Sequence, residues 1–315
     1  ELKLTPNHSI SVIETKRCVG SSICKPVVDH INCNYGKYWK CKKLYKTYKP
    51  KLIPASELMR SHYVVYPIIS KHKDIKSIKI SDYLTDYSIK KGIISMKKRT
   101  HTSLKIKNNL NMSKEFLRLC GYYIAEGGSD SRKHSILFTF NKKEKEYIND
   151  VRKLAKKIFR LKTTVYAEKN VMRIHIYSSI LNRLFISLFG SYAHKKHIPR
   201  DFMYLPIEKQ YELFKGMWRG DGDIERKSIR YITHSKELAN QVKQLLLRFG
   251  FIPHVHIKSV YKQNKRPSTI EERKILSRHD KYFINVQGPY LEKISKILGI
   301  KHPKVGTRNR VMHYG

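Results

Sequence analysis

Two acidic residues occupy the same unusual position, at the end of a predicted helix and directly before a glycine. They are Glu126, before Gly127, and Asp221, before Gly222. The glycines are common helix C-caps, but carbonyl dipoles make a helix C-terminus partially negative, so an acid there is unfavourable by roughly 0.3–1 kcal/mol. If the two helices lie side by side, the two carboxylates also repel each other unless a cation lies between them. The pattern predicts a divalent-cation site, with Mg²⁺ as the natural occupant because it takes carboxylate, phosphate and water oxygens.

Small residues precede each acid at a spacing that suits close helix packing. Gly121 and Ala125 lie four residues apart in the first helix, as do Gly216 and Gly220 in the second. Residues at this spacing share one face of a helix. An interior glycine destabilises a helix by roughly 1 kcal/mol relative to alanine, which a close helix–helix contact would offset. We therefore expect the two helices to pack directly on each other and to bring the acids together.

Both helices belong to an internal repeat that begins at Ser113. Hydrophobic periodicity predicts the elements of the first copy: a helix to 126, a strand over 135–140, a helix over 142–159, strands over 163–168 and 171–177, and a helix over 179–189. The same periodicity predicts the second copy: a helix from 207 to 221, a strand over 228–233, a helix over 236–249, strands over 252–258 and 282–287, and a helix over 291–298. Each copy is thus α-β-α-β-β-α. The basic insertion at 258–281 is predicted to be a mobile loop that orders on DNA.

The charge of the chain indicates a polyanionic partner. Its 315 residues carry 65 Lys and Arg against 25 Asp and Glu, a formal net charge of +40. Nucleic acid is the favoured partner, because Lys and Arg neutralise phosphates and release counterions, and an anionic membrane surface is the weaker alternative. A hydrophobic fraction of 40% excludes wholesale disorder, and no apolar run is long enough to span a bilayer. Because no signal peptide is seen, we expect an intracellular protein with access to DNA.

Residues 119–127 and 214–222 resemble the paired motif of the LAGLIDADG homing endonucleases. The match holds at the first glycine, the small residue, the acid and the final glycine, and departs at the second and sixth positions, the sixth being Ile124 and Arg219. Residues 236–250 and 298–304 also resemble the family, so the resemblance covers residues 113–304. It implies an α+β fold with two pseudo-symmetric αββαββα-like halves that form a saddle on DNA, preceded by a small, mainly β segment.

The resemblance also implies an activity, that of a site-specific double-strand DNA endonuclease. Such a protein would act as a monomer with an internal pseudo-two-fold axis on a long target site. Glu126 and Asp221 would be both metal ligands and catalytic residues, holding Mg²⁺ or Mn²⁺. The flanking catalytic lysines, which polarise water or phosphate, would be Lys196 (or its neighbour Lys195) and Lys304. Further basic residues are the expected DNA contacts: Lys195, Arg230, Lys258, Lys262, Lys265 and Arg266.

The N-terminal segment has a resemblance of its own. Residues 4–10 are similar to an intein splicing block that contains Thr-x-x-His, and residues 54–67 to a later strand of the same Hint fold. In inteins that histidine polarises the amide at the upstream splice junction and the threonine assists, roles that fall here on His8 and Thr5. Splicing also needs an N-terminal Cys or Ser and a C-terminal His-Asn, whereas this chain begins at Glu1 and ends at Gly315. We therefore expect an endonuclease with a Hint-like remnant, or an intein fragment that does not splice alone.

Four of the five cysteines lie close together in this N-terminal segment, at Cys18, Cys24, Cys33 and Cys41. They contain no Cys-x2-Cys pair, so free thiols are favoured over structural zinc.

The chain is expected to divide into four parts: a Hint-like β segment over 1–70, a basic linker or DNA-contacting region over 71–112, and the two repeats over 113–205 and 206–315. Three alternative functions stay open: an RNA maturase on the same scaffold, a catalytically decayed DNA-binding protein, and a fragment of a protein-splicing intein. The presence of both acids favours the endonuclease over the first two.

Overall fold

The computed structural model describes residues 4–14, 49–59, 62–65, 68–97, 106–130, 132–225, 228–265, 267–270 and 273–300. The chain divides into two compact units, Glu1–Ile68 and Ile69–Gly315. In the part of the chain that the structure describes, no helix is both long and apolar enough to cross a lipid bilayer.

The first unit contains a three-stranded antiparallel sheet. Its central strand β1 (Ser9–Glu14) pairs with β2 (Lys51–Pro54) on one side and β3 (His62–Val64) on the other. Thr5 and His8 lie in the turn that enters β1, where the His8 amide donates a hydrogen bond to the Thr5 carbonyl oxygen at 3.0 Å. Both side chains are exposed. The clustered cysteines, Cys18, Cys24, Cys33 and Cys41, lie outside the described residues.

The segment over 71–112 is not an extended linker in its described part. It forms five short strands: β4 (Ser77–Lys79), β5 (Tyr87–Lys90), β6 (Ile93–Met96), β7 (Ile106–Lys107) and β8 (Asn109–Asn111). Strand β4 pairs with β8, and β6 lies between β5 and β7. Ile80, Ile94 and Met112 are buried in the main hydrophobic core. The linker interpretation failed because single apolar residues alternate with lysines here, which gives a polar, basic composition to strands that bury one face.

The second unit contains two halves with the same order of elements. The first half has α1 (Lys114–Glu126), β9 (Gly127–Asp130), β10 (Ser135–Asn141), α2 (Lys145–Phe159), β11 (Thr164–Glu168), β12 (Val171–Tyr177) and α3 (Ser179–Phe189). The second half has α4 (Ile207–Asp221), β13 (Gly222–Glu225), β14 (Ser228–Thr233), α5 (Lys236–Arg248) and β15 (His254–Lys258), then α6 (Val260–Asn264), β16 (Ser268–Ile270) and β17 (Arg273–Ile275), and last β18 (Lys281–Gln287) and α7 (Leu291–Leu298). Without the α6–β17 insertion, each half is αββαββα.

Each half contains a four-stranded antiparallel sheet, and the two strand orders correspond. The first sheet has the order β11-β12-β10-β9, and the second has the order β15-β18-β14-β13. One face of each sheet packs on the helices: in β10, Ile136, Phe138 and Phe140 are buried, whereas the alternating Leu137 and Thr139 face the other way and are half-buried. The strand period of two thus gives each half a free sheet face.

Four of the described helices begin where a serine caps the first turn, the fourth being α6, where Ser259 accepts a hydrogen bond from the Lys262 amide. Ser113 accepts a hydrogen bond from the Phe116 amide at the start of α1, and Ser178 and Ser235 do the same for α3 and α5. In its described part, the insertion over 258–281, predicted as a loop, forms a helical turn and a two-stranded hairpin, and its ordering on DNA stays a prediction.

Candidate functional site

Helices α1 and α4 contact each other through their backbones. A methyl group on Gly121 would lie 2.1 Å from the Leu213 carbonyl oxygen, and one on Gly216 would lie 2.2 Å from the Arg118 carbonyl oxygen. Both distances are far below van der Waals contact, so only glycine fits at either crossing point. The structure thus brings together the small residues that the sequence singled out at the centre of the interface.

The same interface continues to the C-terminal ends of the two helices. A methyl group on Gly220 would lie 2.6 Å from the Ala125 methyl carbon and 2.7 Å from Cγ of Glu126. The side chain of Glu126 therefore packs against the residue that precedes Asp221. The two acids end adjacent helices and lie next to each other, as their spacing predicts.

Both carboxyl groups are held in surroundings that disfavour their charge. Burial, with repulsion from Glu144, raises the pKa of Glu126 to about 7. Burial and the neighbouring Glu126 raise the pKa of Asp221 well above its usual range, although the Tyr231 hydroxyl donates a hydrogen bond to Asp221 Oδ2 at 3.4 Å. Among the described residues, neither carboxylate forms an ion pair with a basic side chain. Ionisation of both carboxyl groups is therefore unfavourable unless a bound cation compensates their negative charge.

The glycines after the acids are helix C-caps, as predicted: the Gly127 amide donates to the Tyr123 carbonyl oxygen, and the Gly222 amide to the Trp218 carbonyl oxygen. Gly127 and Gly222 are extended, with φ of −85° and −87°, so the chain leaves each helix directly into an edge strand. A methyl group on Gly127 would lie 2.4 Å from the Tyr123 carbonyl oxygen, and one on Gly222 would lie 2.2 Å from the Trp218 carbonyl oxygen. Glycine is needed for this close approach rather than for a left-handed backbone. The helix-to-strand junction fixes each acid at the edge of its sheet.

Lys196 is a buried lysine whose charge acts on Asp221. Its side chain is only 3% exposed, and its Nζ donates a hydrogen bond to the Tyr123 carbonyl oxygen at 3.0 Å, one turn before Glu126. The same Nζ lies 3.5 Å from the centroid of the Tyr123 ring. Burial lowers the pKa of Lys196 to about 7, against the attraction of Asp221. Near neutral pH this amine can therefore hold or release a proton.

The other predicted lysines lie elsewhere. Lys195 Nζ lies 5.9 Å from the centroid of the Tyr192 ring, away from the buried position of its neighbour. Lys304 lies outside the described residues.

Lys281 belongs to the site and was missed by the sequence analysis. It lines a cavity of about 310 Å³ together with Asp221, Gly220 and His234. Its charge lowers the pKa of Asp221 from beyond ion-pair distance. The predicted strand began at residue 282, one residue too late, and the corresponding position of the first half is Val171, so the repeat gave no signal.

The predicted DNA contacts differ in their surroundings. Arg230 lies on the free face of the second sheet, where it forms ion pairs with Asp223 and Glu225. Lys258 lies directly opposite Lys281 on paired antiparallel strands. Like charges in this arrangement are unfavourable, so the pair is suited to an anionic ligand.

The remaining predicted contacts lie in the insertion. Lys262 and Lys265 lie on or next to α6, with Lys265 Nζ 4.7 Å from the centroid of the Tyr261 ring. Arg266 lies outside the described residues.

Arg219, the unusual residue at the sixth motif position, faces away from the acids. Its guanidinium donates hydrogen bonds to the Tyr122 hydroxyl at 2.9 Å and to Asp150 Oδ2 at 3.0 Å. These hydrogen bonds connect α4, through Arg219, to α1 and α2. Its role in the described structure is to hold the helices together.

Comparison with known proteins gives one family match. Residues 208–285, most of the second half, match the family model described as a LAGLIDADG-like domain. The chain is 35% identical over 262 residues to the uncharacterized protein MJ0043 of Methanocaldococcus jannaschii, which aligns 80% of this chain with 30% of the relative. It is 29% identical over 147 residues to a DNA polymerase of Thermococcus sp. (strain GE8), covering 45% of this chain and 8% of that protein. The chain therefore spans less than a third of the length of these relatives.

Among solved structures, the chain is similar to mesophilic variants of the homing endonuclease I-DmoI. That alignment has a TM-score of 0.45 and 15% identity, and covers 60% of this chain and 98% of the other.

Proposed function

We propose that this chain is a site-specific, divalent-metal-dependent endonuclease that cuts both strands of DNA. The observation that carries the proposal is the pair of buried helix-end carboxylates, Glu126 and Asp221, which glycine contacts hold next to each other. Among the described residues, neither carboxylate forms an ion pair. Two like charges placed together in this way are unfavourable unless a cation or a proton compensates them. The match of residues 208–285 to a LAGLIDADG-like domain supports the same conclusion.

The two carboxylates suit Mg²⁺ or Mn²⁺, whose remaining ligands can be phosphate and water, better than a metal ion that needs several protein side chains. Within the described residues there is no group of three or more His, Cys, Asp or Glu side chains that would hold an ion. Mg²⁺ is usually bound by one or two carboxylates, with substrate phosphates and water completing its ligands. Glu126 and Asp221 would hold the ions. A bound ion would supply an acidic water and stabilise negative charge on the departing oxygen.

The side chains around the acids have separate tasks in this proposal. The Tyr231 hydroxyl orients Asp221 through its hydrogen bond. Lys196, with a pKa of about 7, accepts or gives a proton at Nζ beside the reacting phosphate. Lys281, across from Lys258, contacts the phosphate backbone at the mouth of the cavity.

DNA is the substrate that the charge of the protein favours. A formal net charge of +40 suits a long duplex, on which many phosphates are neutralised at once. The free faces of the two sheets are the proposed contact surface, and the monomer supplies both halves of the site. The protein would act where it has access to cellular DNA.

The test is cleavage of a large randomised DNA library in Mg²⁺, with EDTA as the metal-free control. We expect enrichment of one long site, lost in EDTA and in the double variant Glu126→Gln/Asp221→Asn. The matched control is Asp82→Asn/Glu292→Gln, which removes two exposed acids that do not line the cavity beside Asp221 and should cut as the wild type does. Retained double-strand cleavage by the Glu126/Asp221 variant would refute the assigned roles.

The intein-type origin is a separate proposal that rests on Thr5 and His8. Their turn lies directly before β1, where the His8 carbonyl oxygen accepts a hydrogen bond from the Ala55 amide at 2.8 Å. The test is the open reading frame around this chain, joined to a splicing assay. An upstream Cys or Ser and a downstream His-Asn, with splicing that fails in His8→Ala, would support it.

A further inference from the structure

The second half carries an element that the first half lacks. We call residues 259–280 the arm. It connects β15 to β18, where the corresponding strands of the first half, β11 and β12, are joined only by Lys169 and Asn170. The arm contains α6 and the β16–β17 hairpin. It is therefore a departure from the two-fold repeat at a defined position, the end of a strand pair.

The root of the arm is fixed by side-chain amides. Gln263, 8% exposed, donates hydrogen bonds from Nε2 to the carbonyl oxygens of Lys258 at 3.0 Å and His279 at 2.9 Å. Asn264 bonds both the amide and the carbonyl group of Ser277, at 2.8 and 3.1 Å. These bonds join the outgoing and returning chains, so the arm leaves the sheet in a set direction.

The root also lies beside the two acids rather than at a remote edge. The returning chain enters β18 at Lys281, which lines the cavity that contains Asp221. Two residues earlier, His279 stacks on His194 of the first half, with ring centroids 3.9 Å apart and planes 16° apart. His194 lies two residues before the buried Lys196. The arm thus starts at the junction of the two halves.

The arm exposes large apolar side chains among cations. Leu276 is 64% exposed and Ile275 is 42% exposed, and they lie between the exposed Lys274 and Arg278. Neither apolar residue has a place in the core. Ile275 pairs with Ser268 at the base of the hairpin, and Leu276 directly precedes Ser277, so this apolar pair lies at the root of the arm. Exposed apolar residues flanked by cations are what minor-groove proteins use in a duplex, where the apolar residue inserts between base pairs and the cations contact phosphates.

The positions of the acids select the minor groove. Glu126 and Asp221 lie next to each other, so they reach phosphates on opposite strands only where those strands are close. In B-DNA the minor groove is roughly 6 Å wide and the major groove roughly 12 Å. The minor groove at the centre of the target therefore faces the acids, and the arm begins beside it.

We propose that Leu276, supported by Ile275, is a wedge that enters the minor groove of the target DNA near its centre and unstacks one base step. Lys274 and Arg278 bind the phosphates on either side of that step. The wedge opens the central step toward the acids and favours target sequences with an easily unstacked step there. This inference rests on the proposed DNA substrate and names a residue pair that determines its specificity.

The test uses the target duplex recovered from the library, with 2-aminopurine placed in turn at each central position, in EDTA so that no strand is cut. We expect at least a two-fold rise in fluorescence at one step when the wild type binds. The rise should disappear with Leu276→Ala, and with a variant in which residues 259–280 are replaced by Lys-Asn. The matched control is Ile252→Ala, which removes an equally exposed apolar side chain (68%) outside the arm and should keep the full rise.

The outcomes separate this inference from the proposed function. Binding by the wild type without any rise, or an unchanged rise with Leu276→Ala, would overturn the wedge and leave the nuclease assignment intact. Failure of the wild type to bind or cut any duplex would overturn the proposed function itself. Because Leu276 is exposed, the Leu276→Ala variant should unfold at the wild-type temperature, and a lower one would point to a structural role instead.

Discussion

Glu126 is harder to ionise in the folded chain than in the unfolded one. Burial and the charge of Glu144 raise its pKa from an ordinary 4.5 to about 7. When the folded-state pKa is the higher one, the folded protein binds more protons between these two values. The free energy of unfolding then falls as the pH rises through the window from about 4.5 to about 7. Ionising both carboxyl groups, which the reaction requires, therefore lowers the free energy of unfolding of the metal-free protein.

We predict that Glu126→Gln abolishes this part of the pH dependence. In urea unfolding with EDTA, the wild type should lose on the order of 1–3 kcal/mol from this group between pH 5 and pH 8, and the variant should not. Glu292→Gln, which removes an exposed acid paired with Lys296, should retain the wild-type dependence. Identical pH profiles for the wild type and Glu126→Gln would contradict the raised pKa.

Lys196 gives a second prediction at the scale of one residue. Since burial lowers its pKa to about 7, the neutral amine becomes available as the pH rises through that value. We expect the single-turnover cleavage rate to rise with pH through about 7. Lys196→Arg keeps a fixed charge, so it should cut at least about 100-fold more slowly and without that rise.

The control for this prediction is Lys195→Arg, which changes the exposed neighbour and should keep the wild-type profile. DNA affinity should change little in either variant. An unaltered pH profile in Lys196→Arg would mean that another group titrates in the reaction.

At the scale of single residues, the sequence revealed those site residues that depart from a local rule of helix structure. An acid at a helix C-terminus breaks a rule of the helix dipole, so Glu126 and Asp221 are visible in the sequence. Lys281 and Tyr231 break no rule, since each is an ordinary residue of a strand. They meet Asp221 only because β14 and β18 pair beside β13, and a single sequence does not specify that pairing.

The contact between α1 and α4 leads to a prediction at the scale of elements. Gly121→Ala should lower the free energy of unfolding by about 3 kcal/mol or more, because its methyl group would lie 2.1 Å from the backbone oxygen of Leu213. Gly128→Ala is the matched control, since a methyl group there has no neighbour within 4 Å. Urea unfolding of both variants measures the difference. Similar stabilities would show that the two helices can separate without loss.

The order of elements was largely predictable, and the exceptions have physical causes. Helices α1, α2 and α3 and strand β12 follow from hydrophobic periodicity. Strands β9 and β13 were absent from the pattern-based order because they begin with glycine, which has low strand propensity. They form because the preceding helix ends at a position where the chain can only pair with β10 or β14.

Across the whole molecule, positive charge is not confined to the proposed DNA surface. Helix α2 buries Ile148 and Val151 toward the sheet and exposes Arg152, Lys153 and Lys156 on its other side. The free face of the second sheet carries Lys258 and Lys281 instead. Net charge alone therefore overstates the number of phosphates that are neutralised, and salt dependence can tell the two surfaces apart.

We predict that only the basic residues on the free sheet face determine how steeply DNA affinity falls with salt concentration. If 6–10 phosphates are contacted, the affinity for the target duplex in EDTA should fall by roughly 10³–10⁵ between 50 and 200 mM salt. Lys258→Ala removes one contact, so the slope of log K against log salt should become shallower by roughly 0.9. Arg152→Ala removes an equal charge from the outer side of α2 and should leave the slope unchanged. A shallower slope for Arg152→Ala would instead place bound nucleic acid on the helical side of the first half, which is where an RNA-binding function on this scaffold would then have to be sought.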